Sequence, residues 1–148
     1  MTDRAQDEPH SESLAALASL LDRYATGSGR ITPRPRGARL SEDVRKMLAD
    51  ALAKVESTAK RAGSATDLLV YGNGCYAVGR YADASDVYLS ILQDEPSNAD
   101  ARFNLGLAFL RLRSPENAVR EFTDLLIQEP LIAEAFYQRG NGNDDLGQ

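Results

Sequence analysis

The feature that most constrains this chain is a pattern written twice between Ala65 and Pro130, offset by 34 residues. Ala65 returns as Ala99, Gly72 as Gly106, Ala84 as Ala118, Leu92 as Leu126, Glu95 as Glu129 and Pro96 as Pro130. Similar residues pair at the same offset: Tyr71 with Leu105, Tyr88 with Phe122, Ile91 with Leu125. A third copy starts at Ala133 and keeps Phe136, Gly140 and Gly147 in register as far as Gln148. A repeat of this length is one supersecondary unit that buries its apolar face by stacking on its neighbours.

Each unit holds two apolar helical stretches separated by a breaker, Gly79-Arg80 in the first and Arg113-Ser114-Pro115 in the second. Small residues recur where two helices would cross closely, and Tyr71, Tyr88, Leu105, Phe109 and Phe122 recur where a large knob is needed. Pro96 and Pro130 cannot continue a helix. The spacing predicts helices over 65–78, 81–94, 99–112, 115–128 and 132–146.

Together these residues resemble the tetratricopeptide repeat (TPR) family. The first unit matches at Leu68, Tyr71-Gly72, Cys75, Gly79, Tyr81, Ala84, Tyr88, Ile91-Leu92 and Pro96. The second matches at Leu105-Gly106, Phe109, Pro115, Ala118, Phe122, Leu125-Leu126 and Pro130. Arg102 departs from the family's large apolar residue, and Pro115 replaces an aromatic. The third matches at Ala133, Phe136, Gly140 and Gly147, with Arg139 and Asn143 off pattern and no second helix. The resemblance implies an all-α fold, a short α-solenoid of helix–turn–helix units 65–98, 99–132 and a partial 133–148.

Composition narrows the function. Residues 65–148 carry 6 basic and 13 acidic side chains, a net of −7, whereas residues 1–64 net +2. An acidic repeat half repels phosphates and anionic membranes, so neither nucleic acid nor membrane insertion is expected. The polar, acidic start lacks the basic flank of a secretory signal. A single cysteine, Cys75, fits a reducing, cytoplasmic setting, and with His10 remote from it no metal site is expected.

Ahead of the repeats, residues 1–40 read as a mostly disordered tail, a short amphipathic helix and a linker. The tail, residues 1–10, is polar and contains Pro9. Ser11 or Ser13 is a candidate cap for a helix to about Tyr24 (about 11–25), with Leu14, Leu17, Leu20/Leu21 and Tyr24 on one face and Gly27 ending it. Such a helix is marginal alone and must dock to persist. Thr26–Leu40 holds two Pro, three Gly and Arg30, Arg34, Arg36 and Arg39 with no acid. It reads as a flexible solvated tether in preference to a contact for an acidic surface. In 41–64, Ser41 caps a helix with Glu42 and Asp43 in its first turn, Val44, Leu48, Ala51/Leu52, Val55 and Ala59 on one stripe, and Lys60, Arg61 and Gly63 at its end. This helix is expected to cap the solenoid by packing on the first repeat.

No catalytic constellation and no cofactor site emerges. Gly72-x-Gly74-x-x-Ala77, with Asp94/Glu95 about twenty residues on, imitates a dinucleotide fingerprint. Gly72 already belongs to the repeat register, and no βαβ pattern follows, so that reading is set aside. Gly74 is left with two readings: a locally loose helix, or close approach of a ligand or second helix. Cys75 aligns with Phe109 and is expected to be a buried structural thiol. Asp83, Asp86, Glu121 and Asp124 fall on the outer face of second helices as ordinary solvation.

The informative helix is 99–112, apolar on two sides: Ala101, Leu105, Ala108 and Leu112 on one, Phe103, Leu107 and Leu110 on the other. The family resemblance places the first helices along a concave groove, which would be lined by Leu69, Asn73, Tyr76, Phe103, Asn104, Leu107, Leu110, Arg111, Tyr137, Gln138 and Asn141. Its centre would be apolar, Asn73 and Asn104 could hold a peptide backbone, and Asp100, Glu134, Asp144 and Asp145 would make one end acidic. Some family members grip a carboxylate with Lys, Arg and Asn; here the two Asn match, but Leu69, Glu134 and Gln138 replace the cations, which disfavours an acidic ligand.

The function expected is therefore a non-enzymatic protein-binding scaffold. It would take an apolar or partly basic extended segment at Asn73, Tyr76, Phe103, Asn104, Leu107, Leu110, Arg111 and Tyr137. Two alternatives stand beside it: a chaperone for a secreted substrate, and a self-associating or autoinhibited piece of a longer array, in which Leu14–Tyr24 fills its own groove or that of a homodimer partner.

Overall fold

In a computed structural model, residues 4–33, 39–62, 64–130 and 133–145 are described. They form seven helices: α1 (Arg4–Tyr24), α2 (Glu42–Ala62), α3 (Ala65–Ala77), α4 (Tyr81–Asp94), α5 (Ala99–Arg111), α6 (Pro115–Gln128) and α7 (Ala133–Asp145). No strand occurs among these residues, and no helix among them is long and apolar enough to cross a membrane.

Local chemistry accounts for the boundaries. Ser64 and Asn98 sit in extended backbone and accept hydrogen bonds from the N–H groups of Asp67 and Ala101, capping α3 and α5. The Ser41 hydroxyl likewise accepts from the Val44 N–H at 3.3 Å at the start of α2. Pro115 opens α6, where the missing N–H costs nothing. The turns inside the two units are built alike. Arg80 N–H returns to the Cys75 carbonyl at 2.8 Å, and Ser114 N–H to the Phe109 carbonyl at 2.9 Å. Both pass through a left-handed residue, Gly79 at φ 89° and Arg113 at φ 57°. An arginine there carries the Cβ–carbonyl crowding that a glycine avoids. Arg113→Gly is expected to raise stability by up to about 1 kcal/mol, seen as a higher denaturation midpoint at unchanged slope; a loss would show that the Arg113 side chain supplies a compensating contact.

α3 packs on α4, α4 on α5, α5 on α6 and α6 on α7, the stacking of a solenoid. The repeated glycines seat the repeated aromatics. A Cβ on Gly72 would lie 2.7 Å from the Tyr88 ring, and one on Gly106 would lie 2.5 Å from the Phe122 ring. A Cβ on Gly140 would meet nothing within 4 Å. Phe122 and Phe103 are both fully buried and meet edge to face at 5.7 Å.

The off-pattern Arg102 is compensated rather than misplaced. Its guanidinium pairs with Glu121 at 2.8 Å and donates to the Pro96 carbonyl at 2.9 Å. Glu121, read from sequence as a solvated outer carboxylate, is instead largely buried in this pair. Leu112 also departs from expectation: it lies at the open end of its stripe and is 40% exposed.

The N-terminal part differs most from the sequence reading. α1 begins at Arg4, inside the stretch read as a disordered tail, so local helix continuity extends past Pro9. Leu14, Leu17 and Leu21 are buried against α2 and α3, each worth about 1.5–3 kcal/mol of transfer free energy. α2 packs on α3 through Leu48, Leu52, Val55 and Ala59. Gly74 is the contact point: a Cβ there would lie 2.7 Å from Leu52 and 3.3 Å from Leu17. Of its two readings, close approach of helices is the one realised. Glu56 joins α2 to the first unit by accepting from the Tyr71 hydroxyl at 2.8 Å and pairing with Arg80 at 3.1 Å. Arg34, Arg36, Gly63 and Gly147, and the side chains of Lys60, Arg61, Glu134, Phe136, Asp144 and Asp145, lie outside the described residues, and with them the roles expected of them.

Candidate functional site

The face formed by the first helices of the units is built around two buried amides, Asn73 on α3 and Asn104 on α5, both at 0% exposure. An amide in a helix interior must find partners once water is excluded. Asn73 Oδ1 accepts from the Tyr88 hydroxyl at 2.6 Å and from Asn104 Nδ2 at 3.0 Å. The remaining groups point at main chain, and that main chain belongs to this protein.

Thr26–Thr32, the segment that leaves α1, occupies the site. Gly27 takes φ 88°, a left-handed turn open to glycine. Its N–H returns to the Leu21 carbonyl at 3.0 Å, and Thr32 N–H closes the loop on the Thr26 carbonyl at 2.9 Å. Asp22 accepts from the Ser28 N–H at 2.7 Å. Asn73 Nδ2 donates to the carbonyls of Gly27 at 3.1 Å and Gly29 at 2.7 Å. Asn104 Nδ2 donates to Gly29 at 3.0 Å, and Asn104 Oδ1 accepts from the Ile31 N–H at 2.8 Å. The Ile31 side chain is buried to 2%. Arg30 lies 5.6 Å over the Phe103 ring and pairs with Asp100 at 2.9 Å and Glu129 at 3.7 Å. Among the described residues, no buried side-chain polar atom lacks a hydrogen-bond partner.

This corrects two expectations. The first part of the basic linker is a docked loop rather than a solvated tether, because its carbonyls and Arg30 meet complementary groups already aligned on α3 and α5. Leu14–Tyr24 does not fill the groove; its apolar face is spent on α2 and α3, and the loop after it does the filling. The occupant is a closed turn.

The other sequence-derived residues divide. Phe103 is sealed beneath Arg30 and against Phe122, and Leu107 is buried to 4%. Leu69 and Gln138 are also buried, and Asn141 Nδ2 donates to Gln138 Oε1 at 3.2 Å. Tyr76 is buried, meets Tyr81 edge to face at 5.1 Å, and its hydroxyl accepts from Arg111 Nε at 3.2 Å. Burial pushes the Tyr76 hydroxyl pKa up, and Arg111 opposes that shift. Leu110 is half-buried, Arg111 is exposed, and Tyr137 is 65% exposed. Among the described residues expected to line this face, Leu110, Arg111 and Tyr137 are left open beside the docked loop. Arg30 realises the contact with an acidic surface that the basic, acid-free stretch offered as the less favoured of its two readings; Ile31 carries no such signal, since a lone aliphatic residue in a polar stretch has no period to mark it.

Cys75 is free and fully buried. Burial raises its thiol pKa, partly offset by the Tyr71 hydroxyl and Arg80. Thiol reagents at neutral pH are expected to label it at least ~100-fold more slowly in the native protein than in denaturant; comparable rates would show that the packing between α2 and α3 opens readily. Among the described residues, no group of three or more His, Cys, Asp or Glu could hold a metal ion.

Stacked helix–turn–helix units with glycine–aromatic seats define an α-solenoid repeat protein, with a self-docked loop on the face of its first helices. The family model described as Tetratricopeptide repeat matches residues 72–131, and that stretch is similar to tetratricopeptide repeats. No curated protein matches the chain. Repeats of this kind are protein–protein interaction modules.

Proposed function

We propose that the chain is a non-enzymatic interaction module that binds a protein segment on the face of α3, α5 and α7. The observation that carries the reading is the pair Asn73 and Asn104, whose amides are already engaged with backbone carbonyls and an N–H of a docked segment. A partner segment offering main chain in the same place would take over those bonds. Leu110, Arg111 and Tyr137 extend the contact on the exposed side. The loop at 26–32 favours the autoinhibited form of this reading, in which the partner competes with the chain's own segment. The site is polar at its centre, with apolar side chains beneath and beside it, so peptide backbone recognition and a cation pocket dominate over burial of a large apolar anchor.

The test is selection of displayed peptides on the full chain, with a Leu110→Glu, Tyr137→Ala variant of unchanged helicity as the counter-screen. Peptides that bind the wild type and lose at least ~10-fold in affinity on the variant support the reading. Peptides that bind both equally, or none at all, sink it. A Phe103→Glu variant is unsuited to this purpose, because a buried charge there would unfold the second unit.

A further inference from the structure

The docked loop defines the chemistry of the partner as well as the place where it binds. We infer, resting on the groove-binding reading above, that the partner presents a turn of the form Gly-x-x-Arg-aliphatic, for which Gly27–Ile31 is the intramolecular stand-in.

Each position of the pattern has its own contact. The glycine is needed at the left-handed turn, Gly27 at φ 88°. The second position, Ser28, meets Asp22 of its own arm rather than the groove, so it is free to vary in a partner. The third is recognised through its carbonyl, which takes both Asn73 at 2.7 Å and Asn104 at 3.0 Å. A side chain there is tolerated, since a Cβ on Gly29 would lie 3.9 Å from Asp100, an ordinary contact. Arginine is specified by three groups at once: Asp100, Glu129 and the face of Phe103. A planar guanidinium satisfies a carboxylate fork and an aromatic face together, which an ammonium does less well. The aliphatic position is specified by the pocket that buries Ile31 and by Asn104 Oδ1, which takes its N–H. The surrounding repeat half, at 6 basic against 13 acidic side chains, favours a cationic segment over an anionic one.

Being tethered, the loop competes at an effective concentration of order millimolar. A partner's apparent affinity is lowered by the fraction of molecules with the site open, so a loop closed about 99% of the time weakens binding about 100-fold. Opening the loop is therefore the way to reveal the site.

The probe is a fluorescent peptide, Thr-Gly-Ser-Gly-Arg-Ile-Thr flanked by two cysteines and closed by a disulfide to imitate the Thr26–Thr32 bond. It is titrated by anisotropy against the full wild-type chain and an Arg30→Glu, Ile31→Asp variant whose helicity is checked. We expect the variant to bind at least tenfold more tightly than wild type. Replacing the probe's Arg with Glu, or adding Asp100→Lys to the protein, is expected to remove at least tenfold. Equal binding to both proteins, or indifference to the Arg-to-Glu change, overturns the inference. If the variant does not hold its fold, hydrogen exchange at the Ile31 amide of the wild type is read with and without excess probe. Faster exchange with the probe supports displacement, and no change overturns it. The displayed-peptide selection separates the two levels. Groove-dependent peptides without an Arg-aliphatic pair overturn this ligand chemistry and leave groove binding standing, whereas no groove-dependent peptide at all overturns both.

Discussion

Phe122→Ala is expected to lower the free energy of unfolding by about 3–5 kcal/mol. The ring is fully buried, meets Phe103 edge to face, and fills the hollow over Gly106. Its loss removes transfer free energy and leaves a cavity that two helices cannot close without shifting. Against a domain stability of roughly 5–15 kcal/mol, this is a large fraction. Chemical denaturation checks it, as a lower midpoint at unchanged slope. The same seat gives a sharper test. Gly106→Ala places a methyl 2.5 Å from the Phe122 ring and must displace it. In a Phe122→Leu background that crowding is relieved, so the cost of Gly106→Ala should fall markedly, a non-additivity expected of groups in contact. Additive costs would mean that Gly106 is selected by helix α5 itself and not by its neighbour.

Asn73→Leu is the second large effect, about 3 kcal/mol or more, from several hydrogen bonds lost at a buried site. Leucine keeps roughly the volume but removes the donors to Gly27 and Gly29 and the acceptor of Tyr88 and Asn104. The Tyr88 hydroxyl, on a fully buried side chain, is then left without that acceptor. Two readouts are expected to move together: the denaturation midpoint, and hydrogen exchange at the Ile31 amide, which speeds as the loop lifts. Tyr88→Phe is the control, since it removes one bond and leaves the loop's own contacts in place. A loss under about 1 kcal/mol for Asn73→Leu, with Ile31 still protected, would show that the loop is held by Arg30 and Ile31 and that the amide is incidental.

The parts of the fold that were legible in sequence were those governed by local rules. The five repeat helices fall within a residue of their expected ends, because Ser64, Asn98 and Pro115 mark starts and the 34-residue register marks the turns. The seating of Tyr88 and Phe122 over Gly72 and Gly106 was legible for the same reason: small and large residues recur in step. The α1 start at Arg4 was not, since a polar stretch with Pro9 carries no apolar period to reveal a helix. Arg102 was noted as a departure, but its partner Glu121 is nineteen residues away and on another helix, outside any local window.

The 34-residue register and the breakers showed that this chain stacks helix–turn–helix units, because periodicity acts over a few residues and can be read in one dimension. That Asn73 and Asn104 stand on the face of the first helices followed from the resemblance to tetratricopeptide repeats. What covers that face was decided only by the tertiary structure. The bonds that hold the loop join residues 44 to 75 positions apart. A Gly- and Pro-rich stretch has too little conformational preference of its own to announce where it will lie. It is ordered because the buried amides, Asp100 and the Ile31 pocket, held in place by helix packing, together offset the entropy of fixing it.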